Sequence, residues 1–133
     1  MAFYLKVYVA TIIGFLIIDV IWLTVAAPRF YRKHLGFLLA DKPNLWAAIP
    51  FYLLFIAGLV VFAVAPALQA GSPRSAILLG GFFGLVTYAT YDLTNQATVK
   101  DWPWIVTLVD LCWGVFLSAS VSYIGYVAGL WMT

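Results

Sequence analysis

Long apolar segments separated by short polar connections make up most of the chain. Four of these segments run for about 20 residues or more with few charges, the length that a helix needs to cross a bilayer. None alternates in the way that a membrane barrel strand does. The pattern therefore predicts an all-α integral membrane four-helix bundle, a single domain over residues 1–133 with spans at about 3–27, 45–69, 73–99 and 102–131.

The polar connections indicate where the helices begin and end. Residues 28–43 mix basic and apolar side chains, which predicts a short helix lying in the membrane interface. Ser72 and Pro73 are the predicted cap and first residue of the third span. Asp101 is the predicted N-cap of the fourth, with Pro103 inside its first turn. Because the last two turns are short, spans two to four are expected to be antiparallel neighbours.

The composition agrees with a membrane protein. Hydrophobic residues make up 65% of the chain and charged residues only 9%, whereas soluble domains carry about a quarter charged residues. His34 and Cys112 are the only residues of their types, so the chain alone offers neither a zinc or haem site nor an internal disulfide. No cofactor, metal or nucleic-acid partner is expected.

The basic residues are distributed unevenly between the two predicted sides of the membrane. Two lie on one side, Lys6 and Arg74. Five lie on the other: Arg29, Arg32, Lys33, Lys42 and Lys100. Positive side chains favour the cytoplasmic side, so we expect the first and third connections in the cytoplasm and both termini outside.

Three aspartates interrupt the apolar spans: Asp19, Asp92 and Asp110. An isolated carboxylate near the bilayer centre costs about 2.5–3.5 kcal/mol, so three of them indicate a functional site or a set of polar partners. Each lies seven or eight residues from the predicted cytoplasmic end of its span. At 1.5 Å per residue this is a depth of about 10–12 Å, which predicts one cluster at one level.

Aromatic and polar residues accompany the three acids. Trp22 and Trp113 each follow an aspartate by one helical turn, and because their spans are antiparallel they are expected on opposite sides of the acid layer. Four further tryptophans are predicted to form an interfacial belt: Trp46, Trp102, Trp104 and Trp131. The predicted ligand-binding residues are Asp19, Trp22, Tyr88, Tyr91, Asp92, Asn95, Asp110 and Trp113.

Small residues form ridges on the third and fourth spans: Gly80 and Gly84 on one, and Gly114, Ser118, Ser122 and Gly125 on the other. Such ridges let membrane helices approach closely. The second ridge is offset by about 80° from the face of Asp110. It could therefore serve a second contact, in a homodimer or in a larger membrane complex.

Three motifs carry a resemblance to a known family. They are D-x-x-W-L at Asp19, Y-D-x-T-N-x-A-T at residues 91–98 and D-x-x-W-G at Asp110. This set resembles a bacterial family of predicted four-helix membrane proteins catalogued as domain of unknown function 2177. The resemblance covers nearly the whole chain. It implies a four-helix protein of the bacterial inner membrane, and it implies no reaction.

The leading functional hypothesis is a pocket that binds an apolar ligand with a polar head, such as a lipid, an isoprenoid or a quinone. Membrane lipid is then the expected partner. The same carboxyl groups also suit an acid/base enzyme acting on a lipid, or proton or cation transport by an oligomer. A further alternative, based on the small-residue ridges, is an accessory subunit of a membrane assembly. Separately, the aspartates can serve only to hold helices together. The sequence does not decide whether the protein is an enzyme.

Overall fold

The computed structural model describes all 133 residues and contains five helices and no strand. They are α1 (Ala2–Val25), α2 (Ala27–Leu35), α3 (Leu45–Ala70), α4 (Pro73–Thr98) and α5 (Trp104–Met132). All except α2 are long and apolar enough to cross a membrane. The predicted all-α membrane bundle is confirmed.

The four long helices alternate in direction and give the bundle two ends. The connection end carries α2 and the turn at residues 99–103. The terminal end carries both chain termini and the turn between α3 and α4. At that turn Gly71 adopts a left-handed conformation with φ 60°, and the Ser72 side chain caps α4 by accepting from the Ser75 backbone N–H at 3.1 Å. Pro73 begins α4, as predicted.

Helices α4 and α5 pack along a line of small residues, which we call the seam: Gly80, Gly84, Gly114, Ser118 and Ser122. A Cβ atom placed on Gly84 would lie 2.1 Å from the Gly114 carbonyl oxygen, and one on Gly80 would lie 2.5 Å from the Ser122 Cβ. Both serines are fully buried. The prediction that the α5 ridge is free for a second contact is therefore wrong. Its offset from Asp110 turns it toward α4, inside the bundle.

Helix α3 is packed unevenly along its length. None of its first ten residues, 45–54, is buried. Its second half fills the core through Phe55, Ile56, Leu59, Val60, Ala63, Val64 and Ala67. This half contains a π-helical turn at Val60–Val64, ahead of Pro66. A proline ring clashes with the carbonyl of the residue four positions earlier, and a wider turn relieves that clash.

The turn between α4 and α5 is held by a closed hydrogen-bond ring. The Trp102 indole donates to Thr107 Oγ1 at 3.1 Å, Thr107 donates to Gln96 Oε1 at 2.8 Å, and the Gln96 amide donates to the Trp102 carbonyl at 2.8 Å. Trp102 is therefore buried, and its assignment to the interfacial belt is wrong. The other three belt tryptophans are exposed: Trp46, Trp104 and Trp131.

Helix α5 begins later than the sequence predicts. Pro103 takes the N-cap position and Asp101 adopts φ 61° in the turn, so Asp101 is not the N-cap. Proline disfavours the helical conformation for the residue that precedes it. Trp102 therefore stays in the turn, and Trp104 is the first helical residue.

Candidate functional site

A cavity of about 510 Å³ lies at the connection end and is bounded by all five helices. Fourteen residues line it, ten of them hydrophobic: Asp19, Trp22, Leu23, Tyr31, Leu35, Leu39, Phe51, Tyr52, Thr87, Tyr88, Tyr91, Asp92, Asp110 and Trp113. Seven of the eight sequence-predicted site residues are among them. The exception is Asn95.

Two of the acids, Asp92 and Asp110, form a pair across the α4–α5 contact. Their carboxyl groups lie within hydrogen-bonding reach of each other. Asp92 is completely buried, and neither of its oxygens accepts a bond from an N–H or hydroxyl donor. Two carboxyl groups can hydrogen-bond to each other only when one of them carries a proton.

Helix α2 supplies a partner for the acid pair. The Tyr31 hydroxyl donates to Asp110 Oδ1. Leu35, one turn further along α2, packs on Trp102 and Val106 and so fixes the helix against the start of α5. Burial, followed by the bond to the neighbouring Asp110 carboxylate, raises the pKa of the Tyr31 hydroxyl well above its usual value. Tyr31 therefore stays protonated and remains a donor.

The third acid, Asp19, lies apart from the pair. The α1–α5 contact brings Thr11 beside Gly125 and Trp22 beside Trp113, so Asp19 is level with residue 117 of α5. Seven residues separate that position from Asp110, which is about 10 Å along the helix. The expectation of three acids at one level is wrong. Helix α5 extends beyond the end of α1, and α2 covers the extension.

Asp19 has its own hydroxyl neighbour. Tyr52 of α3 lies beside Asp19 in the cavity lining. Tyr52 also packs against Phe15 with 5.3 Å between the ring centroids. This contact draws the loosely packed half of α3 to the cavity edge.

The two indoles stack between the acids. The Trp22 and Trp113 ring centroids lie 4.3 Å apart with an interplanar angle of 11°. The prediction that they lie on opposite sides of the acid layer is therefore wrong. Asp19 and Asp110 are offset along the bundle, and each tryptophan lies one helical turn from its aspartate in the direction of the other aspartate. The two indoles therefore meet at the same level. The stacked pair forms a wall between Asp19 and the acid pair.

Fewer polar residues of α4 contribute to the cavity than its sequence suggests. Tyr88 is partly buried in the cavity, whereas Tyr91 is 60% exposed at its rim. Asn95 lies outside the lining, and it is Gln96, at the same end of α4, that bonds to the turn. The hydroxyls of Thr90, Thr94 and Thr98 donate to carbonyl oxygens of their own helix, and these residues are exposed.

Tyr31 and Tyr52 line the cavity although the sequence did not predict them as site residues. A signal existed for the first, because Ala27, Tyr31 and Leu35 recur every four residues and form the inward face of α2. No comparable signal marks Tyr52, which lies in an apolar helix without a charged residue.

Comparisons with known proteins give a family and no function. Residues 4–127 match the model of a family described as predicted membrane protein (DUF2177). No curated protein and no solved structure matches the chain. The match covers nearly the whole chain and agrees with the resemblance carried by the three aspartate motifs. The protein belongs to the DUF2177 family of predicted membrane proteins.

Proposed function

We propose that the protein binds, from within the membrane, a ligand with an apolar body and one polar head. The observation that carries this proposal is Asp92, a fully buried carboxyl group without a donor from any N–H or hydroxyl, which faces a largely apolar cavity. A ligand head can supply the missing partner. The volume of about 510 Å³ is within the usual range for small-molecule sites. Lipids, isoprenoids and quinones have this form.

The rim of the cavity supports entry from the side of the bundle. Leu23, Leu39 and Phe51 line the cavity and are each about half exposed. The first ten residues of α3 beside them are unburied. Exposed apolar side chains in a membrane contact lipid, so a ligand dissolved in the bilayer meets an apolar entrance between α1 and α3.

The proposed setting is the bacterial inner membrane, with the connection end in the cytoplasm and both termini outside. Five basic residues belong to the connection end and two to the terminal end, which is the bias that cytoplasmic segments carry. Attachment of a reporter enzyme to the C-terminus tests this orientation. A reporter that is active only in the cytoplasm should be inactive there.

Native mass spectrometry of the purified protein tests the proposal. We expect the wild type to retain one bound lipid-soluble molecule, and the double variant Asp92→Asn, Asp110→Asn to lose it while keeping its helical content. Asp41→Asn, Asp101→Asn is the matched control, because both acids are exposed and lie outside the cavity. Retention of the same molecule by both double variants would overturn the proposal.

The acid pair also supports a second candidate, acid/base chemistry on a bound lipid. Two neighbouring carboxyl groups provide an acid and a base side by side when one of them is protonated. Lipid extracts from cells that produce the wild type or Asp92→Asn should then differ in at least one lipid species. Identical extracts would exclude the enzymatic candidate and leave binding as the proposal.

A further inference from the structure

Aromatic rings make up half of the cavity lining. The seven residues are Trp22, Tyr31, Phe51, Tyr52, Tyr88, Tyr91 and Trp113. The face of an aromatic ring carries negative electrostatic potential and attracts cations, most strongly where water is excluded. Rings surrounding a buried carboxyl group are the usual surroundings of a bound ammonium head.

Positive side chains are absent from the same lining. Arg29, Arg32 and Lys33 belong to α2, but all three are exposed and none lines the cavity. Helix α2 instead presents Tyr31 and Leu35 to the interior. A phosphate or carboxylate head would therefore meet aspartates and no counter-charge in the lining.

The acids distinguish a cation from a neutral head as well. If Asp92 and Asp110 share one proton, the pair keeps one negative charge, and Asp19 lies across the stacked indoles. A neutral carbonyl or hydroxyl head can accept or donate a hydrogen bond but leaves that charge uncompensated. A cation compensates it directly, because buried charges require a partner of opposite sign.

We infer that the head of the ligand is an organic cation, an amine or a quaternary ammonium group attached to an apolar body. This inference rests on the proposed function and narrows it, since quinones and uncharged isoprenoids no longer qualify. The rings of the cavity hold the cationic head, and the apolar rim holds the body.

Three fluorescent probes with one apolar body test the inference. Diphenylhexatriene is neutral, its trimethylammonium derivative is cationic and its propionate derivative is anionic. Energy transfer from tryptophan to each probe, measured in nanodiscs of zwitterionic lipid, reports binding because Trp22 and Trp113 line the cavity. Partition of a probe into the bilayer gives a non-saturable background.

A variant with a filled cavity defines that background. Thr87 lines the cavity, and its hydroxyl donates only to carbonyls of its own helix, so Thr87→Phe fills space without removing a hydrogen bond between helices. Gly81→Ala is the matched control on the same helix, because its added Cβ would meet only ordinary contacts at 3.6 Å or more.

We expect a saturable signal for the cationic probe, with an affinity at least about tenfold higher than for the neutral probe. Thr87→Phe should abolish this signal, and Asp92→Asn with Asp110→Asn should remove the preference for the cation. Equal affinity for the neutral probe, or a preference for the anion, would overturn the inference that the head is a cation. The proposal of an apolar binding site would still hold. If no probe gives the wild type a saturable signal above that of Thr87→Phe, both the cationic head and the binding site itself are overturned.

Discussion

The two halves of the bundle pack in opposite ways. Toward the terminal end, Gly80, Gly84 and Gly125 bring neighbouring helices closer than a Cβ atom allows. Toward the connection end, large rings and carboxyl groups occupy the same faces and a cavity remains between them. The change occurs where Tyr88 lies against Gly114. In a membrane, apolar side chains gain little by exchanging lipid for protein, so small residues are required for close contact. Where those residues end, the helices separate.

The largest effect is expected from adding one methyl group to the seam. Gly84→Ala would place a Cβ 2.1 Å from the Gly114 carbonyl oxygen, which forces α4 and α5 apart. We expect it to lower the free energy of unfolding by about 2–3 kcal/mol, measured by denaturant titration in mixed micelles. Gly81→Ala is the matched control and should be near neutral, since its Cβ meets no atom closer than 3.6 Å. Equal stability of the two variants would contradict the packing described for the seam.

A smaller and local effect is expected at the connection end. Tyr31→Phe removes the hydroxyl that joins α2 to Asp110, at a cost of about 1 kcal/mol. Amide hydrogen exchange over residues 27–35 should accelerate by roughly fivefold while exchange across the seam is unchanged. The control is Tyr123→Phe, at an exposed position of α5. Acceleration throughout the bundle would mean that the two halves are not independent.

The smallest effect is expected from a buried hydroxyl in the seam. Ser118 is fully buried and its hydroxyl has no hydrogen-bond partner. If the seam depends on side-chain size, Ser118→Ala should change the free energy of unfolding by no more than about 0.5 kcal/mol. The same denaturant titration measures it. A loss comparable to that of Gly84→Ala would show that hydrogen bonding, and not size, holds the helices together.

The sequence was sufficient for the helices because hydrophobic length and turn residues are local properties. It was also sufficient for Asp19, Asp92 and Asp110, since an acid inside an apolar span is conspicuous without knowledge of its neighbours. It was insufficient for the register between helices. Counting depth from the ends of the spans put Asp19 level with Asp110, whereas α1 ends short of α5 and the two acids are offset.

The misplacement of the Trp22 and Trp113 pair and that of Trp102 have the same origin. Trp22 and Trp113 stack because of that offset, which no single helix encodes. Trp102 is buried because Thr107 and Gln96, from two different helices, close a hydrogen-bond ring around the turn. Contacts of this kind depend on how one helix meets another, which the sequence of a single helix does not determine.

The central claim is that the connection half admits a lipid-soluble ligand and the seam does not. The most direct test is photolabelling in membranes with a long-chain amine whose chain carries an alkyl diazirine, a group that reacts readily with carboxyl groups, followed by peptide mapping. We predict labels on Asp19 or Asp92 in the wild type, their loss in Thr87→Phe, and unchanged labelling of exposed Phe116 in both proteins. Labels confined to exposed residues, or cavity labels that persist in Thr87→Phe, would contradict the claim.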